Sequence, residues 1–262
     1  GDYDIDGVCS TYILLQAFER LGSDVDFEIP DRIKDGYGIN ESIIEQAHAD
    51  GVEVILTCDN GISAFHQVEL AKKYGMTVVI TDHHEVPLDG EKEKIPPADA
   101  VIDPKQADCP YPFPEICGAV VAYKLVQVLY ARRGVPQMEW LDLLEFAAIA
   151  TVGDVMKLQD ENRILVKYGL KKMAQTKNLG LRRLAEKNNL DLGAITAYHI
   201  GFVIGPCLNA GGRLKTAKEA LALLRAQSEE EAERYDAALE PMEKKHLPSQ
   251  EEFYIMSRSF VE

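Results

Sequence analysis

Two hundred and sixty-two residues make one large domain or two small ones, long enough to bury a substantial core. The composition, 46% hydrophobic, 27% charged and 8% aromatic, excludes a disordered, collagen-like or coiled-coil chain. Forty-three acidic and 28 basic residues give a formal charge of −15, which at face value argues against a partner as negative as nucleic acid. The charge is segregated, however: residues 157–187 hold nine Lys or Arg against Asp160, Glu161 and Glu186, a local balance of about +6.

No apolar run reaches membrane-spanning length. Residues 118–131 include Lys124 and residues 141–152 include Asp142 and Glu145, so a soluble protein is expected. Cys9, Cys58, Cys109, Cys117 and Cys207 are odd in number and form no C-x-x-C pair, which suits a reducing compartment and a cytoplasmic location. The chain opens on Gly1 with neither a basic nor an apolar leader and reads as an excised piece.

Gly1 to Gly7 reads as the end of a strand, its body upstream, turning into an amphipathic helix from Val8 to Leu21 that stops at Gly22. Strands are expected at Val25–Ile29, Val52–Cys58, Met76–Thr81 and Ala100–Ile102, and helices at Asn40–Ala49 and Ala64–Tyr74. This alternation predicts an α/β fold, a parallel sheet with helices on both faces. From Cys117 onward a mainly helical part follows, with helices at Gly118–Arg132, Trp140–Ile149, Arg163–Ala174, Thr216–Ala226 and Ser228–Lys245. The last opens on Glu229–Glu231, as a helix N-terminus favours, and Pro241 and Pro248 argue against one unbroken helix there.

The acidic residues fall where strands end: Asp2, Asp4 and Asp6 in GDYDIDG, Asp59 in TCDNG, Asp82 with His83 and His84 in TDHHE, and Asp103 in IDP. Open parallel sheets place ligands along the edge formed by the carboxyl ends of their strands, so these side chains can converge. Any one alone reads equally well as a helix cap or an Asx turn. Together they would repel one another unless cations sit among them. Oxygen donors with one or two imidazoles, and no paired cysteines, favour Mn or Mg over Zn.

An extended backbone would line up Asp2, Asp4 and Asp6 on one side and turn Ile5 into the core. The adjacent His83 and His84 would face opposite ways, one toward metal, the other toward substrate or in support of the ligands. His48, His66, His199 and His246 read as ordinary surface or core residues. Asp154 in ATVGDVMKL follows an apolar helical run and would be a plain cap by itself. Beside the cluster it is a candidate to complete a two-metal site.

DYDIDG, CDNG, TDHH and GDVMKL, in this order, resemble the four motifs of the DHH phosphoesterase family. PDRIKDGYG and IGPCLNAGGRL resemble its RecJ branch, the bacterial single-strand-specific 5′ to 3′ exonucleases, and the likeness runs from Gly1 to about Ala226. The resemblance implies metal ligands at Asp4, Asp6, Asp59, His83 and Asp154, two Mn2+ or Mg2+ ions, a catalytic part for His84, and support of the ligands by Asp2 and Asp82. It further implies a two-metal phosphodiester hydrolase of DNA repair and recombination. Its substrate would be single-stranded DNA and its companions a single-strand-binding protein or a helicase; the sequence leaves the oligomeric state open, with a monomer the default expectation. Ile5 stands where Ala is common in the branch and Cys207 where Arg is common, and the second change removes one potential phosphate contact. Residues 1–226 would be the catalytic domain. Residues 227–262 would be a helical connector toward a DHH-associated domain that these 262 residues do not include.

Hydrolysis of a phosphodiester also needs positive charge on the non-bridging oxygens. Arg32, just after a strand, and Arg213 with Asn209, in the Gly-rich turn GPCLNAGGR, are the candidates to hold a phosphate, and the resemblance implies that both arginines hold the 5′ end of the strand. Arg163, Lys167 and Lys171, spaced i, i+4, i+8 on a helix, read equally as a track for a nucleic-acid backbone or as a solvated face. Two rival readings are a DHH-type phosphodiesterase of oligoribonucleotides or cyclic dinucleotides, and an inactive DHH-fold replication partner. PDRIKDGYG and GPCLNAGGR oppose the first; five intact ligand positions oppose the second.

Overall fold

The computed structural model describes residues 1–30, 38–214 and 217–243, with the backbone alone for 210–214 and 240–243. Three parallel strands, β1 (Val54–Cys58), β2 (Thr77–Thr81) and β5 (Ala100–Ile102), form a sheet in the order β1-β2-β5. Val54 stands opposite Thr77, and Val79 opposite Ala100. A short hairpin, β3 (Leu88–Asp89) and β4 (Lys92–Glu93), interrupts the return from β2 to β5.

Alternation along the strands sends side chains to two cores. On one face Val78 and Ile80 pack with Ile44 of α2 (Glu41–Ala49) and with Val68 and Ala71 of α3 (Phe65–Lys73). On the other, Leu56 and Cys58 join the larger core with α1 (Ile5–Arg20) and α4 (Gly118–Arg133). Helices therefore cover both faces of the sheet, as the alternating pattern predicts.

The helical half comprises α5 (Gln137–Leu141), α6 (Leu144–Gly153), α7 (Asp160–Met173), α8 (Leu179–Lys187), α9 (Ala197–His199), a π-helical turn at Ile200–Ile204, α10 (Gly205–Leu214), α11 (Ala217–Leu224) and α12 (Glu229–Glu243). Leu144 to Val152 of α6 are all buried, the fate of a helix apolar on every side. α7 packs back along it so closely that a β carbon at Gly169 would stand 2.2 Å from that of Ala148.

Several boundaries differ from expectation for identifiable reasons. Val25–Ile29 forms no strand: Val25, Phe27 and Ile29 do turn toward the core while Asp26 and Glu28 are exposed, but no ladder partner lies beside them among the described residues. Period-two burial reports which way side chains point, not whether the backbone is paired. α1 begins at Ile5 because Asp4 caps it, its Oδ1 accepting from the amides of Asp6 (2.9 Å) and Gly7 (3.0 Å). Gly1–Gly7 is therefore not a strand end, and Asp2, Asp4 and Asp6 do not share one extended row. The expected Trp140–Ile149 helix is divided between α5 and α6, and α8 lies in a stretch read only as basic. The segment GPCLNAGGR lies in the helix α10, not in a turn.

Candidate metal centre

The sheet edge and three helix ends deliver the chemistry to one place. β1 ends at Cys58, and Asp59 follows in the left-handed region at φ 58°, its amide donating to the Thr81 carbonyl (3.1 Å). A non-glycine residue there is held by its surroundings at a cost in backbone strain, a feature that clusters at functional sites. After β2 come Asp82, His83 and His84. His83 turns its Nε2 inward, 3.1 Å from Asp59 Oδ1, 3.4 Å from Asp6 Oδ2 and 3.9 Å from Asp154 Oδ2. One imidazole thus reaches carboxylates carried by β1, the first turn of α1 and the end of α6.

Each carboxylate has its own anchorage. Asp6 accepts from the amides of Gly118 (2.6 Å) and Ala119 (2.7 Å), filling the N-terminus of α4, where Cys117 provides no side-chain cap. Asp154 follows α6 and is the most open of the acids around His83, at 28% side-chain exposure. Its neighbour Val155, β-branched and exposed, sits at φ 56°. Asp2 is buried, groups with Asp4 and Asp59, and its Oδ1 has no hydrogen-bond partner among the described residues. Ligand atoms of Asp6, His83 and Asp154, of Asp2, Asp4 and Asp59, and of Asp59, His83 and His84 lie within 4.8 Å of one another in each group.

Asp82 belongs to none of these groups. It brackets the loops, accepting from Ile62 N (2.9 Å), His83 N (2.8 Å) and His84 Nδ1 (2.7 Å). The two imidazoles consequently part company: His83 is buried, whereas His84 is 44% exposed, their rings 4.5 Å apart between centroids. Asp103 is buried and caps its own loop at Lys105 N (2.9 Å), outside the three groups.

Burial and mutual repulsion dominate the electrostatics of the cluster. Burial first, then the charge of Asp4, pushes Asp2 and Asp154 up to about 6, and burial raises Asp6 to the same value despite the opposing pull of His83. Asp59 is raised well above the usual range by burial and by Asp6 and Asp4. Burial holds the His83 pKa low, which keeps its lone pair available. His84 is raised, chiefly by its hydrogen bond to Asp82. Against the cost of burial, that bond and the loop amides hold Asp82 below the ordinary value.

Of the other sequence candidates, Asn209 is near: its Oδ1 accepts from Ile5 N (2.8 Å) and ties α10 to the Asp4–Asp6 turn. Arg32 lies outside the described residues, as do the side chain of Arg213 and His246. Cys207 is buried, and Ile5 fits because a β carbon at position 153 would stand 2.6 Å from its Cγ2, space that Gly153 leaves open. His48 stacks on Tyr74, His66 faces Glu41, and His199 closes a capping box with Thr196. Lys105 escapes a sequence reading keyed to acids and imidazoles, yet its charge bears on His83 and Asp154, and its Nζ lies 2.7 Å from Glu85. Its position two residues past the strand-end Asp103 was the available signal.

Residues 1–151 match the DHH family, N-terminal domain. The chain is 40% identical over 244 residues to the single-stranded-DNA-specific exonuclease RecJ of Bacillus subtilis (strain 168), covering 93% of this chain and 30% of that protein. Among solved structures, exonuclease RecJ bound to manganese aligns with a TM-score of 0.83 and 33% identity, over 94% of this chain and 60% of that one. RecJ from Thermus thermophilus in complex with Mn2+ aligns with a TM-score of 0.78 and 31% identity, over 94% and 34%. The chain therefore spans about a third of the length of the Bacillus relative.

Proposed function

The chain belongs to the DHH family, and from that premise we propose that it carries the metal-binding part of a single-stranded-DNA-specific 5′ to 3′ exonuclease of the RecJ kind. The observation that carries this reading is His83, whose Nε2 reaches Asp59, Asp6 and Asp154 at once. Hard oxygen donors around one neutral imidazole fit Mn2+ or Mg2+, and so do buried acids that repel one another and Asp2 Oδ1, which has no hydrogen-bond partner among the described residues. Asp6, His83 and Asp154 would hold one ion, and Asp4 and Asp59 a second with Asp2 beside them. Bound divalent ions supply Lewis acidity and make water a stronger nucleophile near neutral pH.

The remaining residues prepare the site. Asp4 fixes the turn through two backbone amides, and Asp82 holds His84, the exposed imidazole that would meet a phosphate. Asn209 steadies the Asp4–Asp6 turn, and Arg32 and Arg213 are assigned to the terminal 5′ phosphate. Residues 1–226 act as the catalytic domain. The setting is cytoplasmic DNA repair and recombination, with a single-strand-binding protein or helicase as companion to a monomer. The test is timed digestion of end-labelled single-stranded DNA, RNA and a cyclic dinucleotide with Mn2+ or Mg2+. Selective, metal-dependent release of mononucleotides from the 5′ end of DNA is expected; preference for RNA or the cyclic dinucleotide contradicts the reading.

A further inference from the structure

The basic stretch 157–187 divides in two. Lys172 and Lys177 pair with Asp142, Arg182 with Glu229, and Arg183 and Lys187 with Asp236. Lys157, Arg163, Lys167 and Lys171 are exposed and make no ion pair among the described residues. The last three form a ridge along α7 about 12 Å long, at 1.5 Å per residue. A second ridge runs beside it: Ile164 and Tyr168, 57% and 50% exposed. Lys167 and Lys171 flank the Tyr168 ring, with Nζ 6.0 Å and 5.2 Å from its centroid.

The first turn of α7 is tied to the segment that leads to the metal centre. Asn162 donates to Glu115 O (2.7 Å) and Lys157 O (3.1 Å), and Glu161 holds Lys124 and Tyr111, fastening the first turn of α7 to the segment that leads into Gly118, where Asp6 docks. Gly169, two turns on, lies against Ala148 and the Leu144 carbonyl, so α7 runs back along α6, away from Asp154. Val155, next to Asp154 in sequence, is a further exposed apolar residue.

We propose that this face of α7 is an exosite for single-stranded nucleic acid: Arg163, Lys167 and Lys171 track the phosphates while a base stacks on Tyr168. Cations without an ion pair among the described residues, set beside an exposed aromatic in a chain of charge −15, complement a single strand, which is anionic along one edge and π-faced along the other. The assignment rests on the nuclease reading for its direction, since the ridge leads out from the metal centre.

The experiment measures affinity for dT oligomers of about 4 and about 16 nucleotides, bracketing the usual site sizes, in EDTA and across a salt series. Tyr168→Ala should weaken binding of the long oligomer roughly tenfold, Tyr168→Phe should not, and neither should alter the short one. The double variant Lys167→Gln/Lys171→Gln should lower the salt slope by about 1.4, two contacts at about 0.7 each. Unchanged long-oligomer affinity and slope overturn the exosite. Loss of binding to an acidic, Phe-containing peptide with DNA binding intact also overturns it, in favour of a protein partner. Hydrolysis is read separately with Mn2+. Its absence alongside normal length-dependent binding counts against the metal centre and supports the exosite.

Discussion

Gly118 lies so close to Asp59 that a β carbon at position 118 would stand 2.7 Å from the Asp59 β carbon and 2.9 Å from its Oδ1. The start of α4 therefore sets where the Asp59 carboxylate can be, while the Gly118 amide holds Asp6. Gly118→Ala should displace Asp59, weaken divalent-ion binding by about 10- to 100-fold, the range for residues that orient ligands, and leave helix content intact. Mn2+ titration with circular dichroism on the same samples checks this. Unaltered affinity would mean the loop yields without moving the carboxylate.

Asp82 is buried and serves three donors. Asp82→Ala should destabilise the fold by about 3–5 kcal/mol, the range for breaking a buried charged pair. It should also lower the His84 pKa, because the hydrogen bond that raises it is gone. Denaturant unfolding and an NMR titration of His84 measure the two effects. A fall in stability without a change in His84 would place the imidazole elsewhere.

The acids of the cluster set a pH dependence. Asp2, Asp6 and Asp154 rise from 3.8 to about 6 on folding, so between those values the native state binds more protons than the unfolded chain. Metal-free protein should therefore lose stability as pH rises from about 4 through about 6. Mn2+ must displace those protons, so its affinity should climb over the same interval and proton release should accompany binding. Calorimetry in buffers of different ionisation enthalpy reads this. Affinity flat across that interval would contradict the electrostatic account.

Lys105 brings positive charge to Asp154 and His83 from outside the ligand groups. Lys105→Gln should reduce phosphodiester hydrolysis by about 10²-fold, as loss of a charge-stabilising donor does, while Mn2+ affinity holds or tightens. Unchanged hydrolysis would leave Lys105 only its bond to Glu85.

Much of this was legible because strand ends and acids coincide in the sequence. Asp59 and Asp82–His83 stand where the parallel strands β1 and β2 stop, so topology alone delivered them to one edge. What escaped were partners chosen at long range. Asp6 caps a helix 112 residues away, and Asn209 binds the amide of Ile5 across 204 residues, contacts with no local period. The start of α1 was missed because two residues' spacing suggested an extended row, whereas Asp4 acts as a helix cap. The glycines of GPCLNAGGR suggested a turn, but helix packing overrides local preference there.

Asp4, Asp6, Asp59, His83 and Asp154 are proposed to hold two divalent ions. Counting bound Mn2+ per chain at saturation, by electron paramagnetic resonance of the free ion, tests it most directly. Two ions are expected for the native protein and a lower count for Asp59→Asn with the fold unchanged. No saturable binding, or the same count in Asp59→Asn, would contradict it.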